Sequence, residues 1–92
     1  MKRAEVTKRL REIFAAILDM QPAEIVPSLS PDSCERWDSL HHIHLINAIQ
    51  ETFGISLDVE QQVEILTFEL GEVVTWDALK AVGRADGEQA RP

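Results

Sequence analysis

With a single cysteine, Cys34, the chain can close no disulfide within itself and can build no cysteine-rich zinc site. A lone thiol of this kind suits a reducing compartment. Only four glycines and four prolines occur in 92 residues, and aromatics make up 5%. That composition lacks the turns from which sandwiches and barrels are made. No apolar run approaches the roughly 18 residues of a membrane-spanning helix, and the N-terminus has no apolar stretch of the signal-peptide kind. A cytoplasmic location is therefore expected. Bases are scarce beyond the first dozen residues: from Ile13 to Leu79 the only one is Arg36, within a chain of formal charge -7. An acidic body repels nucleic acid and anionic membrane and favours protein partners that present Lys and Arg. The same charge also serves solubility, with no partner needed.

What is present is aliphatic. Hydrophobic residues make up 45% of the chain, dominated by Leu, Ile, Val and Ala. The expected fold class is all-α: one bundle of four helices, with a long loop between the first and second and a short third helix. The domain is expected to span residues 1–83, followed by a flexible tail over 84–92. Val6, Leu10, Ile13, Phe14, Ile17 and Leu18 recur at three- and four-residue spacing and predict an amphipathic helix from Arg3 to Asp19. It should stop near Gln21-Pro22, with Pro22 opening a short new turn. From Pro22 to Asp38 a long loop is expected, plugging the bundle with Ile25, Val26 and Leu29. A loop of this length in so small a domain is read as functional by position.

The second helix is predicted from Ser39 to Thr52, with Ile43, Leu45, Ile46, Ile49 and Phe53 toward the core and His42 within the same arc. Leu40, His44, Asn47 and Glu51 fall on the opposite side. Gly54 ends this helix with a left-handed turn. Ile55-Ser56-Leu57 has no strand to pair with and reads as an extended connector. Asp58 is expected to cap a short helix that buries Val59, Val63 and Leu66. Thr67 should cap the last helix, from Phe68 to Val82, with Leu70, Val73, Val74, Ala78 and Ala81 toward the core. Trp76 lies off that arc, and a frayed segment is expected from Gly83 onward.

Trp37-Asp38-Ser39-Leu40, where the loop meets the second helix, carries the functional question. In one reading Asp38 or Ser39 is simply an N-cap, accepting a bond from an amide that has no intrahelical partner. In the other, Ser39 is a hydroxyl at the positive end of a helix dipole, suited to a phosphodiester, with Asp38 as a neighbouring recognition charge.

This order of elements resembles an acyl carrier protein, over roughly Val6 to Val82. Asp38-Ser39-Leu40 matches the attachment motif of that family, Ile43, Ile46 and Phe53 its helix-two core positions, and Glu51 an acidic position near the end of that helix. Thr67-Phe68 resembles its fourth-helix start. The resemblance implies 4'-phosphopantetheine attached to Ser39 from coenzyme A by a phosphopantetheinyl transferase, and an acyl group held on the arm as a thioester. It implies a carrier that catalyses nothing itself. Its partners would be the transferase, an acyl-loading ligase or acyltransferase, and downstream synthase or tailoring enzymes. Trp37, Asp38, Leu40, His41, His44 and Glu51 are the expected partner-recognition residues, and a monomer is the expected state. A long arm lets one tethered intermediate reach several enzymes at high effective concentration.

Several positions depart from fatty-acid synthesis carriers. His41 and His44 stand where acids are usual early in helix two, Gln50 replaces another acid, and Trp37 replaces a small or aliphatic residue. Trp-Asp-Ser-Leu followed by His resembles discrete carriers of specialised lipid or secondary-metabolite pathways, with aminoacyl and hydroxyacyl cargoes within range. Two histidines three apart are short of a metal site, because no third ligand stands in a clear second motif. A Ser39-His42 pair lacks the oxyanion hole and shaped pocket of a hydrolase. The rival class is an unmodified four-helix adaptor that binds a basic partner through its acidic face.

Overall fold

A computed structural model describes residues 1–85. Its helices are α1 (Arg3–Leu18), α2 (Ser39–Phe53), α3 (Val59–Glu64) and α4 (Phe68–Ala81), with one 3-10 turn at Pro22–Glu24 between α1 and α2. No strand occurs among the described residues. The α1 stripe forms as its spacing requires: Val6, Leu10, Phe14 and Leu18 are fully buried, with Ile13 and Ile17 partly so. Burying side chains of this size stabilises by about 1.5–3 kcal/mol each. Asp19 ends the helix in the left-handed region at φ 56°, a conformation that Asp tolerates better than most side chains.

The loop from Pro22 to Asp38 is a string of turns. Ile25 and Leu29 plug the bundle as expected, but Val26 is exposed. Backbone bonds from Ile25 to Pro22 and from Leu29 to Val26 coil the chain there, so neighbouring side chains leave in different directions and only two of the three reach the core. The loop is fastened to the far end of the sequence. The amides of Phe68 and Glu69, which open α4, donate to the carbonyls of Leu29 and Pro27 at 3.0 Å each.

α2 buries Leu45, Ile46, Ile49 and Phe53, whereas Ile43 is 55% exposed, contrary to the sequence expectation. At 100° per residue Ile43 lies about 100° from the centre of that stripe, and no neighbour covers it there. Gly54 closes the helix at φ 66°. Arg84 closes it as well, its Nη1 donating to the carbonyls of Phe53 at 2.7 Å and Gly54 at 3.0 Å. The chain at Arg84 and Ala85 is thus docked rather than frayed, and Ala85 is fully buried. The rest of the expected tail lies outside the described residues.

α3 also differs from expectation. Asp58 caps it, in a reciprocal box with Gln61, but none of its residues is buried, and Val59, Val63 and Leu66 are all exposed. Six residues make less than two turns, too short to present a stripe of their own. The anchors are Leu57 before the helix and Ile65 after it. In α4, Thr67 caps through Leu70 as predicted. Leu70, Val73 and Ala81 are exposed while Trp76 is buried, because the buried face turns toward α1, where the Arg3 guanidinium lies 5.5 Å from the indole centroid. At Gly71, on this buried face, an added Cβ would sit 3.2 Å from Ile65 Cγ2, a tight approach, and 3.6 Å from Phe14 Cζ.

Candidate functional site at the start of α2

The sequence left open whether Asp38 or Ser39 caps α2. Asp38 does so: it is extended at φ -104°, ψ -172°, and its Oδ1 accepts from the His41 amide at 2.9 Å. The His41 ring adds a second contact, Nδ1 to the same oxygen at 2.7 Å. The His41 backbone amide first, and then its ring, hold the Asp38 carboxyl below the usual carboxylate range. Ser39 is therefore the first helical residue rather than the cap. It is exposed, and its hydroxyl makes no hydrogen bond among the described residues. Next to that oxygen, the first-turn amides of Ser39 and Leu40 have no intrahelical acceptor, so the local field favours an anion.

Trp37 and His42 flank this start on its inner side. Trp37 is 2% exposed, set edge-on to Phe14 at 5.2 Å between ring centroids. Its Nε1–H donates to His42 Nδ1 at 3.0 Å. Since Nδ1 accepts, the ring proton sits on Nε2, which donates to the Gln62 carbonyl at 3.0 Å. Trp37 therefore offers a partner no surface, although the sequence placed it in the recognition set. Leu40, His44 and Glu51 do stand exposed with Asn47 on the outer stripe of α2, and His41 is half-buried. The His41 and His44 rings meet edge-on at 5.9 Å.

An apolar trench of about 620 Å³ opens beside Ser39. Ile43, Val63 and Leu66 line its exposed walls, and buried Trp37 and Ile65 with half-buried His42 its base. Sequence reading missed Val63 and Leu66 as wall residues, because their spacing reads as a core stripe. The Gln62 carbonyl was not legible as a partner at all, since a main-chain oxygen carries no signal in the side-chain pattern.

A small helical bundle that presents an uncommitted hydroxyl at a helix start, beside an apolar trench, has the build of a tethering domain. Comparison with known proteins agrees. The family described as "Phosphopantetheine attachment site" matches residues 8–69. The chain is similar to an acyl carrier protein of Rubrobacter xylanophilus, 32% identical over 69 residues that cover 75% of this chain and 85% of the relative. It is also similar to one of Thermosynechococcus vestitus, 29% identical over the same length and with the same coverage. The chain belongs to the acyl carrier protein family. It is thus a non-catalytic carrier, and its prosthetic group is 4'-phosphopantetheine. No helix among the described residues is long and apolar enough to cross a membrane.

Proposed function

We propose that Ser39 Oγ carries the phosphopantetheine arm. The observation that supports this most directly is the division of labour at the start of α2: Asp38 satisfies the capping requirement, which leaves the Ser39 oxygen exposed and uncommitted. Loading forms a bond from Ser39 Oγ to the phosphorus of coenzyme A and breaks the diphosphate link. Adenosine 3',5'-bisphosphate leaves, and the hydroxyl proton passes to a base of the transferase. The bound group supplies a flexible arm whose thiol holds an acyl group as a thioester. The chain's own residues would position that arm: Asp38 fixes the helix start, and the free amides of the first turn would favour the phosphodiester's negative charge.

The carrier serves a specialised lipid or secondary-metabolite pathway in the cytoplasm, as a monomer, with aminoacyl and hydroxyacyl groups within its range of cargo. Support comes from α2, where His41, His44 and Gln50 stand at positions that are acidic in general fatty-acid carriers. The acids are displaced to Glu60, Glu64 and Glu69, all exposed around α3 and the start of α4. Its loading enzyme and tailoring enzymes would therefore meet a weakly charged α2 and an acidic α3. Intact mass before and after incubation with coenzyme A and a promiscuous phosphopantetheinyl transferase tests the attachment point. Gain of one phosphopantetheine by the wild type and none by Ser39→Ala is the expected result. A folded protein that gains nothing, or a mutant that still gains mass, overturns it.

A further inference from the structure

Few contacts of its own hold α3 in place. None of its side chains is buried, and its capping box with Asp58 and the bond from Gln62 Nε2 to the Leu57 carbonyl are local to the segment. Between α2 and α3, among the described residues, one side-chain hydrogen bond crosses: His42 Nε2 to the Gln62 carbonyl. That carbonyl lies in the last turn, where the amide of Ile65 reaches it only at 3.4 Å, so the imidazole is its closer partner. The other ring nitrogen is occupied by Trp37, and Trp37 is set against Phe14 of α1. Four segments are thus strung on one line: α1, the end of the loop, α2 and α3.

We propose that the Trp37–His42–Gln62 chain is a latch that fixes α3 along the trench and so confines an acyl chain borne on Ser39 to the trench surface, outside the core. The proposal rests on Ser39 being the attachment point. Below the trench, Trp37, Phe14, Phe68 and Ile65 are all 2% exposed or less. A close-packed interior of this kind has no room for a chain unless an element moves, and α3, with no buried side chain of its own, rests on α4, on its flanking anchors Leu57 and Ile65 and on the His42 bond. The trench also selects chemistry. Its walls at Ile43, Val63 and Leu66 are hydrocarbon, and both nitrogens of His42 are committed to protein partners. An aliphatic acyl group therefore meets hydrocarbon along these walls, the polar lining being Asp38, Ser39 and His42.

Nuclear magnetic resonance on the unmodified and loaded protein tests this, with Trp37→Phe and His42→Leu as latch variants and His44→Leu as a histidine control. In the unmodified wild type, the His42 ring nitrogens should read as protonated Nε2 and unprotonated Nδ1. Trp37→Phe should abolish that tautomer preference. Both latch variants should raise amide exchange across residues 63–65 about fivefold, as the loss of one hydrogen bond implies, while α1 and α4 amides and the control stay unchanged. Unchanged exchange in both variants, or an equal rise in α1 and α4, overturns the latch. With octanoyl on the arm, shifts should be confined to the methyls of Ile43, Val63 and Leu66 in the wild type and should spread to Ile46 and Ile65 in the variants. Core shifts already present in the wild type overturn the confinement. A protein that accepts no arm on Ser39 refutes the attachment reading, while the unmodified samples still decide the latch.

Discussion

Trp37 and His42 lie on opposite sides of Ser39 in the sequence, and they meet behind it through a 3.0 Å hydrogen bond with their ring planes 16° apart. The rings thus give the serine a rigid backing without touching its hydroxyl. Trp37→Phe keeps an aromatic ring against Phe14 but removes the donor and part of the buried volume, so chemical denaturation should show a loss of about 1–3 kcal/mol. Trp37→Ala also empties a core site and should cost about 3–5 kcal/mol. Equal losses for the two variants would mean that the indole N–H contributes nothing separable from bulk.

Ser39→Ala should leave stability within about 0.5 kcal/mol of wild type, because the capping bond belongs to Asp38. A thermal melt of the unmodified protein checks this. A fall of the size that a lost N-cap produces would mean that the serine supports the helix after all.

Asp38 carries a pH dependence whose sign follows from its lowered pKa. A carboxylate held below its unfolded value near 4 contributes stability that is complete above that value and is lost as pH falls through the folded one. Asp38→Ala should accordingly melt lower than wild type at pH 7, and the gap should narrow as pH falls through the folded-state value. Melting temperatures of both proteins between pH 7 and pH 2 give the comparison. A gap that stays constant throughout the acid titration would assign the effect to something other than the charge.

Arg84 should matter more than its position near the end of the chain implies. Arg84→Ala removes the charged donor from two carbonyls at the C-terminus of α2, where a cation also complements the helix dipole. The expected loss is about 1 kcal/mol, since the site is exposed and partly screened. Arg84→Lys, which lacks the guanidinium geometry, should recover only part of it in the same denaturation experiment.

At Gly71 two effects oppose each other. Alanine gains about 1 kcal/mol in helix propensity, yet its Cβ would press on Ile65 Cγ2 at 3.2 Å. Gly71→Leu brings no compensating room and should destabilise by about 2 kcal/mol or more. A leucine variant as stable as wild type would show that Ile65 and Phe14 can withdraw from α4.

Where a signal was local, the sequence carried it. The caps at Asp58 and Thr67 and the left-handed end at Gly54 each depend on one residue type at one backbone position, and they formed as read. The family and its order of elements were legible for the same reason, through Asp38-Ser39-Leu40 set at a helix start. Periodicity was a weaker guide, because it tells how residues are spaced and not where the stripe is centred. Ile43, Val63 and Leu66 therefore read as core and proved to be walls of the trench. Trp76 was misread in the opposite direction. Least legible were contacts that join distant positions through main-chain atoms, such as His42 to Gln62 and Arg84 to Phe53.

The bonds from Phe68 and Glu69 back to Leu29 and Pro27 bear on the order of events as the chain is made. A polypeptide still lacking α4 keeps Trp37 against Phe14 and His42 but lacks these two fastenings of the preceding loop, which close over a long sequence separation. A chain ending before position 68 would therefore carry the Ser39 helix start with the loop in front of it less tightly held.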